Sequence, residues 1–119
     1  MFDDLLTAQD AAVMVDDSGL VMAGAYWAPD GRDLAQEMSA ALSGVSDEAQ
    51  RAARHLSLGP WRAIVFETEA AIVALAPVAA PDQSALLVVV TNAMTPLGAL
   101  MRTQKSCVRR ATEWLGGAQ

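Results

Sequence analysis

The sequence predicts an α+β fold: a five-stranded, mostly antiparallel sheet in a two- to three-layer sandwich, with elements in the order (α)ββαβββα. Three observations predict it. Short apolar runs at residues 11–15, 20–25, 61–67, 70–78 and 84–91 are bounded by turn-forming residues, as strands are. Between residues 32 and 56 the apolar period becomes that of a helix. A second helical stripe occupies residues 96–115.

The 119 residues fit one domain, residues 1–119, with one core and no linker or internal repeat. Apolar residues make up 53%, enough to fill that core, so disorder is not the expectation. The uninterrupted apolar runs, residues 85–90 among them, are too short to cross a bilayer. MFDDLLTAQD begins with acid rather than base, so no secretory signal is expected, and a lone Cys107 gives no internal disulfide. A reducing cytoplasm is the simplest compartment. Fourteen acids against eight scattered bases leave a net charge of −6, which argues against nucleic acid and anionic membrane as partners.

Residues 3–7 allow a helical turn or two. Residues 11–15 and 20–25 then form a hairpin around Asp17-Ser18-Gly19, with Gly19 supplying positive φ and Asp16 or Asp17 bonding the turn amides. The segment YWAPDG, residues 26–31, is a loop. Leu34, Met38, Leu42, Val45, Ala49, Ala52 and Leu56 recur at steps of four and three, one face of a helix over residues 32–56. Its other side carries Asp33, Gln36, Glu37, Asp47, Glu48, Arg51 and Arg54. Gly44 and Ser46 predict a bend near residues 43–47, with Ser46 capping the second half, and Leu58-Gly59-Pro60 ends the helix. Strands at 61–67 and 70–78 meet at Glu67-Thr68-Glu69, residues 79–83 form a loop, and SALLVVVT is the fifth strand. Thr95 is the expected N-cap of the last helix, with Pro96 at its first position.

The strands are apolar at successive positions, as in Val13-Met14-Val15 and Leu86-Leu87-Val88-Val89-Val90, and so need cover on both faces. One helix per face is available. A helix is about 10 Å wide, and five strands at about 4.8 Å span roughly twice that. Part of one apolar face is therefore left for another element, most simply a second copy of the chain.

No constellation carries enzyme chemistry. His55, the single histidine, has no acid–nucleophile partner at a recognisable spacing, and a surface or boundary position outweighs a general base. Cys107 falls on an apolar stripe and reads as a small hydrophobe. Asp3-Asp4 and Asp16-Asp17 lack the spacing of a calcium loop, and capping or turn roles explain both. The glycines of DDSGLVMAGAYW do not have phosphate-loop spacing. The three tryptophans and six methionines read as anchors and core filler. No metal, cofactor or catalytic activity is expected.

The hairpin AAVMVDDSGLVMAG resembles the opening of Roadblock-type dynein light chain domains: an apolar strand, Asp-x-x-Gly, an apolar strand and small residues. The stretch from LGPWRAIVFE to RRATEWL is similar to that family's three strands and final helix, and SALLVVVT followed by TPLG is particularly similar to its bacterial MglB-like branch. The resemblance runs from about Asp10 to Leu115; where the family usually carries a longer first helix, either that helix is a stub here or cover on that face comes from the last helix alone. It implies a profilin-like Roadblock fold and a homodimer joined edge to edge through the third strand, with the middle helices side by side. The interface residues would be Leu34, Met38, Leu42, Val45, Trp61, Ala63 and Val65. It further implies a non-enzymatic regulator or scaffold for a Ras-like small GTPase, docked on Asp33, Gln36, Glu37, Asp47, Glu48, Arg51 and Arg54. The alternative is a small-ligand sensory domain of the PAS or GAF type, against which the bulky sheet-facing residues leave no evident cavity.

Overall fold

The computed structural model describes residues 1–7, 10–80 and 83–116. A 3₁₀ turn (Asp3–Leu5) precedes β1 (Ala11–Asp16), β2 (Val21–Ala25), α1 (Ala35–His55), β3 (Ile64–Glu67), β4 (Ala71–Ala80), β5 (Gln83–Asn92) and α2 (Leu97–Leu115). The strands make one antiparallel sheet in the order β2-β1-β5-β4-β3. This is the α+β architecture that the apolar pattern predicts.

Successive strand residues point to opposite faces, and here both sets are buried. Met14, Ala74, Leu87 and Val89 face one side, where Leu100, Cys107 and Ala111 of α2 and Phe2 of the N-terminal segment close over them. Val13, Leu75, Val88 and Val90 face the other, against Ala35, Met38 and Leu42 of α1, with Tyr26 and Trp61 filling in. The sheet valines on the α1 side are thus already buried within one chain, and exposed apolar groups on α1 and β3, Val45, Val65 and Phe66 among them, remain beside others elsewhere such as Trp27 and Met94. That differs from the width argument, because Tyr26 and Trp61 extend the cover beyond one helix diameter.

The β1–β2 turn is built by Asp16. Its Oδ1 accepts the Ser18 and Leu20 amides at 2.8 and 3.0 Å, and Gly19 supplies φ +84. Gln36 ties α1 to this turn: Nε2 donates to the Gly19 carbonyl at 2.7 Å, and Oε1 accepts the Val21 amide at 3.2 Å. At the other end of β2, Gly24 has φ +93, and a Cβ there would lie 2.0 Å from the Ala12 carbonyl oxygen. Only glycine fits that approach.

Several boundaries differ from the expected ones. α1 starts at Ala35 rather than residue 32, because Asp33 Oδ1 accepts the Tyr26 and Ala35 amides and holds the preceding residues in a turn. No break divides it: Ser43 and Ser46 return their hydroxyls to carbonyls three residues back, and Gly44, with nothing near its Cβ position, costs only intrinsic helix propensity. α1 ends in a Schellman arrangement, Leu58 N to Ala53 O at 2.9 Å and Ser57 N to Arg54 O at 3.2 Å, with Ser57 rather than a glycine in the left-handed region at φ 56. β3 starts at Ile64, three residues later than its apolar run. Continued past Ile64↔Leu75, the register would set Arg62 opposite Pro77 of β4, a residue with no N–H to give. β4 and β5 are paired out to Ala80↔Gln83, where the sequence predicts a loop from residue 79; the link at 81–82 lies outside the described residues. Pro96, not Thr95, is the N-cap of α2.

Two backbone predictions follow from these conformations, both read from urea unfolding at one fixed protomer concentration. Ser57→Gly removes the cost of a Cβ at positive φ and is expected to stabilise by about 0.5–1 kcal/mol. Gly24→Ala places a Cβ against backbone and is expected to destabilise by at least about 2 kcal/mol.

Candidate partner-binding surface

The two helices meet the sheet differently. α2 buries Leu100, Gln104, Cys107 and Ala111, a stripe running most of its length. α1 buries only Ala35 and Ser39, both in its first two turns. Beyond Leu42 its apolar residues emerge: Ala49 is half-buried, Ala52 is exposed, and Val45 and Leu56 are 37% and 62% exposed. Leu58, just past the helix end, is 72% exposed. Val45, Ala52 and Leu56, at steps of seven and four, share one line along the helix.

Between the middle of α1 and the sheet lies an opening of about 330 Å³, lined by Asp16, Ser43, Ser46, Asp47, Gln50 and Trp61 among others. α1 therefore stands off from the sheet at this point. β3 is one edge of the sheet, and its outer side meets no other strand among the described residues. Val65 and Phe66 on β3 are each 36% exposed. Apolar helix flank, apolar edge strand and free backbone edge together make an incomplete surface.

The residues expected at an interface fall into separate groups. Met38 and Leu42 are half-buried against the sheet's α1 side, with Trp61 beside them. Leu34 caps the start of α1, its amide bonded to the Tyr26 carbonyl at 2.7 Å, and Val45 opens to solvent. Val65 stands opposite Ala74, whose side chain belongs to the α2 side, so it projects from the other face than α1. Ala63 precedes β3 and lines a groove with Met101 of α2. The sheet thus divides Ala63 and Val65 from the helix set. Phe66, opposite Val73 on the α1 side, is the β3 residue that shares a face with α1; strand alternation next to Val65 is the sequence signal for it.

The expected polar docking residues divide in the same way. The Asp33 carboxylate accepts two backbone amides, and Gln36 is bonded to the β1–β2 turn, so both act within the chain. Glu37, Asp47, Glu48, Arg51 and Arg54 are exposed along α1, with Glu48 and Arg51 paired one turn apart. Such an exposed pair adds little stability and is free to exchange partners.

Titratable groups elsewhere serve the fold. Arg110 donates to both Asp4 carboxylate oxygens at 2.8 and 2.9 Å and to the Met1 carbonyl at 2.9 Å. That hydrogen bonding holds the Asp4 carboxyl down at about 2 and pushes the Arg110 guanidinium up. It also pins Phe2, 2% exposed, against α2, a contact that a lone N-terminal aromatic does not signal. Burial pushes the Cys107 thiol up to about 11, in keeping with a core position. His55 is the exposed last residue of α1. Asp17 accepts the Ser84 hydroxyl at 2.7 Å, so with Asp16 in the turn this acidic pair has structural work. Among the described residues, no three of His, Cys, Asp and Glu are grouped to hold a metal, and no helix is long and apolar enough to cross a membrane.

Comparison with solved structures gives resemblances along most of the chain, among them the following. A structure titled gliding protein MglB from Thermus thermophilus shares 25% identity over 97% of this chain and 82% of that one, with a TM-score of 0.73. An MglB described as having a tetrameric arrangement shares 22%, over 94% and 82%, at 0.76. A Roadblock/LC7 domain from Streptomyces avermitilis shares 20%, over 96% and 93%, at 0.76. Comparison with curated protein sequences gives no significant match. The Roadblock/LC7 domain profile matches residues 7–91, from before β1 to the end of β5. On that match, and on a fold shared along nearly its whole length with MglB structures, the chain belongs to the Roadblock/LC7 domain family.

Proposed function

We propose that two copies of this chain pair through β3 and the exposed flank of α1, and that the paired α1 helices form a docking platform for a Ras-like small GTPase. The observation that carries the first step is the apolar line Val45–Ala52–Leu56, which continues after α1 has left its own sheet. A second α1 laid against that line covers it, while β3 pairing with its mate satisfies the free edge. Trp61, Phe66 and Leu58 lie on or beside the same surface, and Ala63 and Val65 meet the mate on the opposite side of the joined sheet.

The second step rests on the family and on what pairing leaves outside. The polar side of α1 keeps Glu37, Asp47, Glu48, Arg51 and Arg54 in solvent, a mixed-charge strip along a continuous helix of 21 residues. Mixed charge of this kind steers and registers a partner more than it binds one. The platform acts without cofactor or metal, by holding its partner rather than by chemistry of its own, and the cytoplasm is its working compartment.

A PAS- or GAF-type sensor is not supported. The family match points elsewhere, and Val13, Leu75, Leu87 and Val88, which would line a pocket on either sheet face, are fully buried by packed side chains.

The test is binding of nucleotide-loaded Ras-like GTPases to the wild-type protein and to a Glu37→Lys/Arg51→Glu variant. The double reversal is expected to weaken binding by about 1–3 kcal/mol while leaving self-association and melting temperature unchanged. Asp17→Lys, in the β1–β2 turn, is expected to leave binding intact. Loss of the GTPase by the turn variant and retention by the helix variant would place the docking surface elsewhere.

A further inference from the structure

The N-terminal segment is held as a bound peptide is held. Its 3₁₀ turn is three residues long and closes on two backbone bonds, Leu5 N to Phe2 O at 2.9 Å and Leu6 N to Asp3 O at 3.4 Å. A turn that short does not hold itself. α2 holds it. Phe2 is buried in the cluster that contains Met14, Cys107 and Ala111, and Leu5 and Leu6 pack partly against it. Arg110 spans the segment, bonding the carbonyl one residue before Phe2 and both carboxylate oxygens of Asp4 two residues after it.

Three features make this a recognition slot. The groups that α2 reads are a carbonyl, an aromatic ring and an acid two positions on, and an internal segment of another protein offers all three. The guanidinium is itself a donor and has no use for the terminal amine. The hold is also shallow: Asp3, Asp4 and Thr7 are exposed, and an ion pair to a carboxylate 66% exposed adds little. The segment therefore opens at less cost than the fold as a whole, leaving the fully buried Met14, Cys107 and Ala111 beside an empty slot. Charge is the third feature. Four of the chain's eight cations, Arg102, Lys105, Arg109 and Arg110, lie on α2 against the single acid Glu113, so an acidic segment is favoured there.

We propose that the N-terminal segment is a releasable plug, and that the slot beneath it binds a partner-protein segment carrying an aromatic residue two positions before an acid. The incoming ring takes the place of Phe2, the acid takes both arms of Arg110, and the carbonyl before the ring takes the remaining bond. The plug must leave first, so apparent affinity falls by the fraction of molecules in which it is seated. Phe2 and Leu6 line a small opening with Ala12 of β1 and Gly24 of β2, and β2 is the sheet edge opposite β3. Pairing through β3 and docking on α1 both leave this slot uncovered, so it stands or falls independently of them.

The probe is a fluorescent peptide of residues 1–7, MFDDLLT, titrated by anisotropy against the full-length wild type and the full-length Phe2→Ala variant. The variant, with its own ring gone, is expected to bind at least about tenfold more tightly than wild type. Replacing the peptide's phenylalanine by alanine or its second aspartate by asparagine is expected to cost at least about tenfold. Arg110→Gln in the same Phe2→Ala chain is expected to cost as much, and added salt to weaken binding. Asp4→Asn, at an exposed position, is the second variant: it frees Arg110 without touching the core and is also expected to bind more tightly than wild type. Cys107, the single thiol, is expected to react faster with a thiol reagent in Asp4→Asn at an unchanged unfolding midpoint, and more slowly once peptide is added. Equal binding by all three chains, indifference to the ring or the acid, or thiol reaction that only tracks global unfolding would overturn the proposal. So would a rise in assembly mass on mixing wild type with Phe2→Ala, which would make a second copy's N-terminus the occupant.

Discussion

Every strand in the middle of this sheet is apolar on both faces, and that requirement for double cover organises the rest of the molecule. β1, β5 and β4 bury alternate residues on opposite sides, so neither face can be left to water. α2 meets the demand on one side with a stripe spaced four, three and four along its length. α1 meets it on the other only over its first two turns, with Tyr26 and Trp61 filling beyond. The unequal fit of two helices of similar length leaves an apolar flank on α1, and the sheet keeps a free edge at β3 with Val65 and Phe66 exposed.

The periodicities carry most of the fold. Steps of three and four mark α1 and α2, and unbroken apolar runs mark two-sided strands. What the pattern misses depends on contacts distant in sequence. The apolar run at 61–67 reads as strand throughout, but pairing begins only at Ile64, and the register continued from there would set Arg62 opposite Pro77, fourteen residues from Ala63. Gly44 and its serines read as a break, yet the hydroxyls bond within the helix and the position faces open space, so nothing forces a kink. Ser57 gives no composition signal for a left-handed residue; the Schellman bonds to Ala53 and Arg54 impose it.

The surface is legible in outline and not in its sidedness. A helical stripe longer than its sheet needs is visible in sequence as Val45, Ala52 and Leu56. Strand alternation assigns Val65 to one face only once register is known, and register is what Ile64↔Leu75 supplies. Asp33 and Gln36 share the polar side of a helical wheel with Arg54, but their bonds to Tyr26, Ala35 and the β1–β2 turn are tertiary. Gln104 reads as one more member of the α2 stripe; that its amide lacks an acceptor is a fact of packing, invisible to spacing.

If unequal cover is what drives association, the exposed flank of α1 and the edge of β3 are stable only against a mate. Sedimentation equilibrium of the chain, 12.5 kDa, over the micromolar range tests this most directly. Twice that mass is predicted, with Val65→Pro, which removes a backbone donor from β3, lowering association and folding stability together. A compact monomer of 12.5 kDa that unfolds cooperatively at those concentrations would contradict it.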